Sequence, residues 1–157
     1  MPEYIQDTWP EQGTFCWGCG KNNERGLHLK SHWEDDETVA VWEPKEHHTA
    51  FPGIMNGGII ATLIDCHGTG TANAAAHRAS NNLDQHFWYV TGGLSVKFLR
   101  PTPLHRPVTL KAQVKEMSDK KIIVSCELYS GEMKCATGEV TTVRVDLDRF
   151  LQGAASL

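Results

Sequence analysis

Apolar positions follow two rhythms along this chain. Over residues 57–77, GGIIATLIDCHGTGTANAAAH, they fall at helical spacing, with Ile59, Ile60, Leu63 and Ile64 on one face. Ala61, Gly68, Ala72, Ala74, Ala75 and Ala76 keep the rest of that cylinder thin, and a helix both apolar and thin is buried on most sides. Elsewhere the rhythm is alternation. Residues 27–33 (LHLKSHW) and 38–42 (TVAVW) alternate on either side of Glu34-Asp35-Asp36-Glu37, which predicts a β-hairpin around a solvated acidic turn. Four more β-branched stretches follow, at 90–99, 107–117, 122–130 and 133–146, separated by Pro101-Thr102-Pro103, Ser118-Asp119-Lys120-Lys121 and Ser130-Gly131-Glu132. Their alternation marks strands packed on one face and wet on the other. Residues 78–86 predict a polar surface loop. A hairpin, one long helix and four strands make an α+β layer, with the helix laid against a single antiparallel sheet.

The start of that helix carries the most pointed chemistry. Asn56 suits an N-cap, and Gly57 and Gly58 leave the first helical N–H groups uncovered by side chains. Bare amides at the positive end of a helix dipole favour an oxyanion, as a thioester carbonyl becomes under attack. Farther along stands Asp65, a carboxylate in an apolar helix, which is costly to bury unless it is paired or used. Thr69 lies four residues on and shares its face. Eight residues separate Gly57 from Asp65, about 12 Å along a helix rising ~1.5 Å per residue. Both cannot touch one carbonyl. If they act together, they come from two copies of the chain, which predicts a homodimer with composite sites.

Composition narrows the picture. The 157 residues predict one domain, residues 15–147, between an N-terminal arm at 1–14 and a C-terminal tail at 148–157. A net charge of −4, with no basic run longer than two residues, argues against nucleic acid as a partner. No stretch reads as a bilayer span or signal peptide, so no membrane partner and a cytoplasmic location are expected. Five cysteines fit a reducing compartment. Cys16 and Cys19 form a CxxC; without a second such pair it reads as a turn built on Gly18 and Gly20, and neither metal nor cofactor is expected. Cys66 and His67 are expected to face packing surfaces, and Trp9 to anchor the arm. No Gly-x-Ser-x-Gly elbow or phosphate-binding glycine fingerprint is present.

The segment NGGIIATLID resembles the H-G-G-x-x-x-x-L-x-D that opens the central helix of hotdog-fold acyl-CoA thioesterases of the PaaI-like group. TGGLSVKFLRPTP is similar to that family's strand ending in F-L-R-P, and CWGCGKNNERGLHL to a Cys-rich N-terminal segment of some members. The resemblance implies a long helix wrapped by an antiparallel sheet, homodimers whose sheets join, possible pairing of dimers, and hydrolysis of an acyl-CoA-like thioester at the dimer interface. By position it makes Asp65 the general base or nucleophile and the Gly57 amide the oxyanion donor, with Asn56 and Thr69 positioning the reacting groups. Gly58, His48, Lys97 and Arg100 are then the candidate substrate contacts, with Arg106, Lys120 and Lys121 as further cations for coenzyme A phosphates. Two positions depart from the family: Asn56 replaces a histidine, and Ala50 stands where many members carry an amide fifteen residues before the acid. An asparagine holds a water or carbonyl but shuttles no proton, a task left to His47, His48 or His67. The alternatives are a non-catalytic acyl-CoA-binding protein of the same fold and, from another reaction class, a hydratase with a histidine and an acid facing one pocket.

Overall fold

The computed structural model describes residues 3–80 and 86–155. Six strands, β1 (Ser31–Glu34), β2 (Glu37–Trp42), β3 (Phe87–Phe98), β4 (Val108–Met117), β5 (Lys121–Ser130) and β6 (Met133–Asp146), form one sheet in the order β1-β2-β4-β5-β6-β3. Every neighbouring pair is antiparallel. Helix α1 (Gly57–Ala79) lies across one face of this sheet. This is the hotdog arrangement, a long helix wrapped by a curved antiparallel sheet.

Period-2 patterning explains the core. Leu110 and Ala112 of β4, Ile122, Val124, Cys126 and Leu128 of β5, and Ala136 and Val140 of β6 point inward onto Ile60, Leu63, Ile64 and Ala72 of α1. The thin face of the helix is what lets it settle so closely. A Cβ on Gly68 would stand 2.5 Å from a Val140 methyl, and one on Gly138 would stand 2.5 Å from a methyl of Ile64. Helix and strand each give up a side chain at the crossing, and no bulkier pair fits there.

The boundaries differ from the sequence reading in ways the chain explains. The first hairpin strand begins at Ser31, because His28 has a positive φ of 55° and residues 27–29 are tied to the cysteine loop instead, Leu27 N–H to Trp17 O and Leu29 N–H to Gly18 O. The arm folds into two 3₁₀ turns, Ile5–Thr8 and Glu11–Phe15, held where Trp9 meets Trp88 edge-on at 4.9 Å. Helix α1 runs through Arg78 and Ala79, shortening the polar loop expected at 78–86, most of which lies outside the described residues. The tail forms a short helix, α2 (Leu147–Ala155), that buries no residue. Among the described residues no helix is long and apolar enough to cross a membrane.

Candidate active site

The mouth of α1 is built by three segments. Asn56 caps the helix: its Oδ1 accepts from Gly58 N–H at 2.8 Å and Ile59 N–H at 3.2 Å. Its own N–H donates to the His48 carbonyl at 2.8 Å, and the preceding Met55 N–H to Thr102 O at 2.9 Å. The turn before the helix is therefore pinned both to the residue 46–48 turn and to the connection leaving β3. Capping consumes two of the free amides. Gly57 N–H makes none of the hydrogen bonds found among the described residues and keeps the donor capacity that the helix dipole reinforces. Phe98 lies over Gly57, with its ring 3.3 Å from where a Cβ would stand.

Asp65, two turns along, is half-buried. Its Oδ1 accepts from Thr91 Oγ1 at 2.6 Å, and Thr91 in turn accepts from Thr69 Oγ1 at 2.9 Å, since its own proton is committed to the carboxylate. Thr69 thus acts through Thr91 rather than on Asp65 directly. Thr91 was not legible as a site residue. The signal for it is a hydroxyl set just before the Gly92-Gly93 irregularity, where β3 carries one residue more than β6 opposite it. Burial pushes the Asp65 carboxyl upward, the Thr91 hydrogen bond pulls it down, and burial is the larger influence.

The bulge also decides what lines the space between Asp65 and Gly57. Before it, Tyr89 and Thr91 face the helix; after it, Val96 packs on the core and Phe98 on Gly57, so Leu94 shares that inner face by alternation. Leu94 and Phe98 are nonetheless 42% and 57% exposed. Among the described residues no strand lies beyond β3, which ends the sheet. Its outer edge is satisfied at Tyr89, whose N–H and C=O bond the Asn73 side chain at 3.0 and 2.9 Å. From Thr91 to Phe98 an open edge and an apolar wall run from the carboxylate to the bare amide.

The remaining candidates fall in different places. His48 is buried against Trp42, its Nδ1 accepts from Lys45 N–H at 2.8 Å, and its carbonyl holds Asn56, so its contribution here is to position the helix mouth. Desolvation and the neighbouring His47 lower its pKa. Lys97 and Arg100 are exposed. By alternation Lys97 projects from the opposite face to Phe98, while Arg100 leaves the strand at the same end as the helix mouth. Gly58 is exposed with its amide occupied by Asn56. Ala50 is exposed in the turn.

His67 has no access to a substrate. It is fully buried, with Nε2 3.2 Å from Thr38 O and Nδ1 2.8 Å from Ser31 Oγ. A carbonyl only accepts, so Nε2 carries the proton and Ser31 donates to Nδ1. Gln6 Nε2 donates to Ser31 Oγ at 3.1 Å, and Thr38 and Thr71 hydroxyls, 2.6 Å apart, close the network onto the His67 carbonyl. Burial holds this imidazole neutral, with a pKa of about 4. Two large clefts, of about 490 and 990 Å³, lie along the C-terminal half of α1 beside Trp9, Asn73 and Trp88. Neither reaches Asp65 or Gly57. The candidate site is instead the open α1–β3 face.

Comparison with known proteins agrees with this architecture. Residues 52–137 match the family described as Thioesterase superfamily. The chain belongs to that superfamily. A thioesterase superfamily protein from Shewanella loihica is 38% identical, with 78% of this chain and 96% of that chain covered and a TM-score of 0.62. The PaaI protein of the Escherichia coli phenylacetic acid degradation operon shares the fold at a TM-score of 0.63 and 16% identity, covering 76% of this chain and 80% of that one. Among curated proteins, acyl-coenzyme A thioesterase THEM4 of Mus musculus is 29% identical over 73% of this chain and 45% of its own length. The chain spans about half the length of the curated relatives it matches first.

Proposed function

We propose that this protein hydrolyses an acyl-CoA or related thioester to free acid and thiol, at sites that two copies of the chain build together. The observation that carries this reading is the pairing on one helix of an unsatisfied amide, Gly57 N–H, with a half-buried carboxylate, Asp65, two turns away along an open strand edge. Neither alone polarises and attacks a carbonyl, and their separation of about 12 Å keeps them from doing so within one chain. A second β3 added antiparallel to the first would carry its own helix mouth toward the first chain's Asp65. It would also cover Leu94 and Phe98, and with them the open edge. The functional unit is residues 15–147, acting as a homodimer.

In that assembly the thioester carbonyl oxygen rests on one chain's Gly57 amide, and Asp65 of the other takes a proton from water as it attacks the carbonyl carbon. The tetrahedral oxyanion is stabilised by the amide and the helix dipole, and collapse expels the thiolate. A carboxylate raised by burial is a stronger base than one in water. Direct attack by Asp65, giving an anhydride that water then opens, uses the same two groups. Thr91 holds the carboxylate in place, Thr69 holds Thr91, and Asn56 and His48 hold the amide. Arg100, and Lys97 on the outer face, are the cations offered to coenzyme A phosphates.

The non-catalytic alternative, an acyl-CoA-binding protein, is favoured by two observations: the Asn56 carboxamide oxygen is spent on capping, and among the described residues no histidine ring bonds Asp65. Thiol release from a panel of acyl-CoAs decides between them. Hydrolysis abolished by Asp65→Ala supports the enzyme; ligand binding with equal silence from wild type and variant supports the binder.

A further inference from the structure

The turn expected around Cys16 and Cys19 does not stand alone. Cys66, the residue after Asp65, brings a third sulfur to it from α1. The three Sγ atoms lie within 4.8 Å of one another, and Cys16 and Cys66 are 3.8 Å apart. Two sulfurs each about 2.3 Å from one zinc ion in tetrahedral geometry sit about 3.8 Å apart. We propose that Cys16, Cys19 and Cys66 form a zinc site with three protein thiolates and a fourth position filled from solvent, clamping the N-terminal loop onto α1.

The loop is shaped around these sulfurs. Gly18 presses on Cys66 so closely that a Cβ there would lie 2.3 Å from its Sγ. The turn is closed by Gly20 N–H to Cys16 O at 2.7 Å and braced by Leu27 and Leu29, whose amides bond Trp17 O and Gly18 O. Three thiolates gathered this closely repel one another, and a zinc ion bound among them compensates that charge. Soft thiolates prefer such an ion over magnesium or calcium. Cys16 is exposed while Cys19 and Cys66 are buried, so the fourth position opens toward solvent beside Cys16.

The test is metal content of the full chain purified under reducing conditions from zinc-supplied cells. About one zinc per chain is expected, lost in Cys19→Ser and retained in Cys126→Ala, whose thiol lies in β5 away from the cluster. Cobalt replacement should give intense thiolate-to-cobalt charge-transfer absorption and tetrahedral ligand-field bands. Should the cysteine variants fail to fold, mercurial titration of the wild-type protein takes their place: zinc should leave as three thiols react, and chelation should lower the melting temperature. A chain that takes up no zinc, cobalt bound without charge-transfer absorption, metal retained in Cys19→Ser, or a disulfide among the three cysteines in the reduced preparation would each overturn the proposal.

Discussion

Asp65 and His67 are two residues apart on one helix and live in opposite regimes. His67 sits at the centre of a closed network in which each polar atom has a partner: Gln6, Ser31, Thr38 and Thr71 account for both ring nitrogens and their neighbours. Asp65 has one direct hydrogen-bond partner among the described residues, Thr91, on a wall left open to solvent. A buried polar group that is fully paired contributes rigidity and has no capacity left over. A carboxylate that is partly desolvated and underpaired retains the capacity to accept a proton. The same helix thus holds a structural polar cluster and a reactive one, and what separates them is how completely each is satisfied.

Four experiments probe that contrast. The largest effect is expected from Asp65→Ala, which should lower kcat for thioester hydrolysis about a hundred- to ten-thousand-fold while leaving the melting temperature close to wild type. A large loss of stability with little loss of rate would place Asp65 with His67 instead. Next is acid. The unfolded His67 binds a proton near its ordinary pKa of 6.5 and the folded one only near 4. Between those values the unfolded chain therefore binds more protons, and stability, complete above about 6.5, falls as pH drops toward 4. The loss is on the order of 3 kcal/mol. Urea midpoints across that window should show it and His67→Gln should flatten it; an unchanged slope in the variant would sink the assignment. Third, Thr38→Val removes the hydroxyl shared with Thr71 and should cost about 1–3 kcal/mol of stability with kcat unaltered. The smallest effect belongs to Thr91→Val. Loss of its hydrogen bond to Asp65 should lower kcat about tenfold with KM little changed, in a protein as stable as wild type.

Much of this was visible in the chain before any coordinates. The helix announced itself by the spacing of Ile59, Ile60, Leu63 and Ile64, and five of the six strands matched their alternating segments to within three residues, because burial against one helix enforces a strict period. The first hairpin strand started late, since pairing of residues 27–29 with the cysteine loop is a contact between distant segments that no local pattern records. Asn56 and Asp65 were legible as anomalies, a capping residue before paired glycines and an acid among apolar neighbours. Thr91 and Cys66 were not, because each matters only for what folding sets beside it, a carboxylate 26 residues earlier and a sulfur 50 residues earlier. His67 packs in the core as its place on the helix leads one to expect: a turn of 100° per residue carries it to the far side from Asp65, which rules out the proton-shuttling role also considered for it.

Strand positions count in twos, and the single surplus residue at Gly92 makes the count odd. Ahead of it the strand offers Thr91 to the helix; past it the parity flips so that Leu94, Val96 and Phe98 look the same way. Pressing that glycine into the ladder as an ordinary paired residue would leave every amino acid of the wall in place and turn it over, sending Phe98 off Gly57 and Ser95 and Lys97 inward. The architecture of this face therefore depends on where the strand leaves one residue out of its pairing as much as on which side chains it carries.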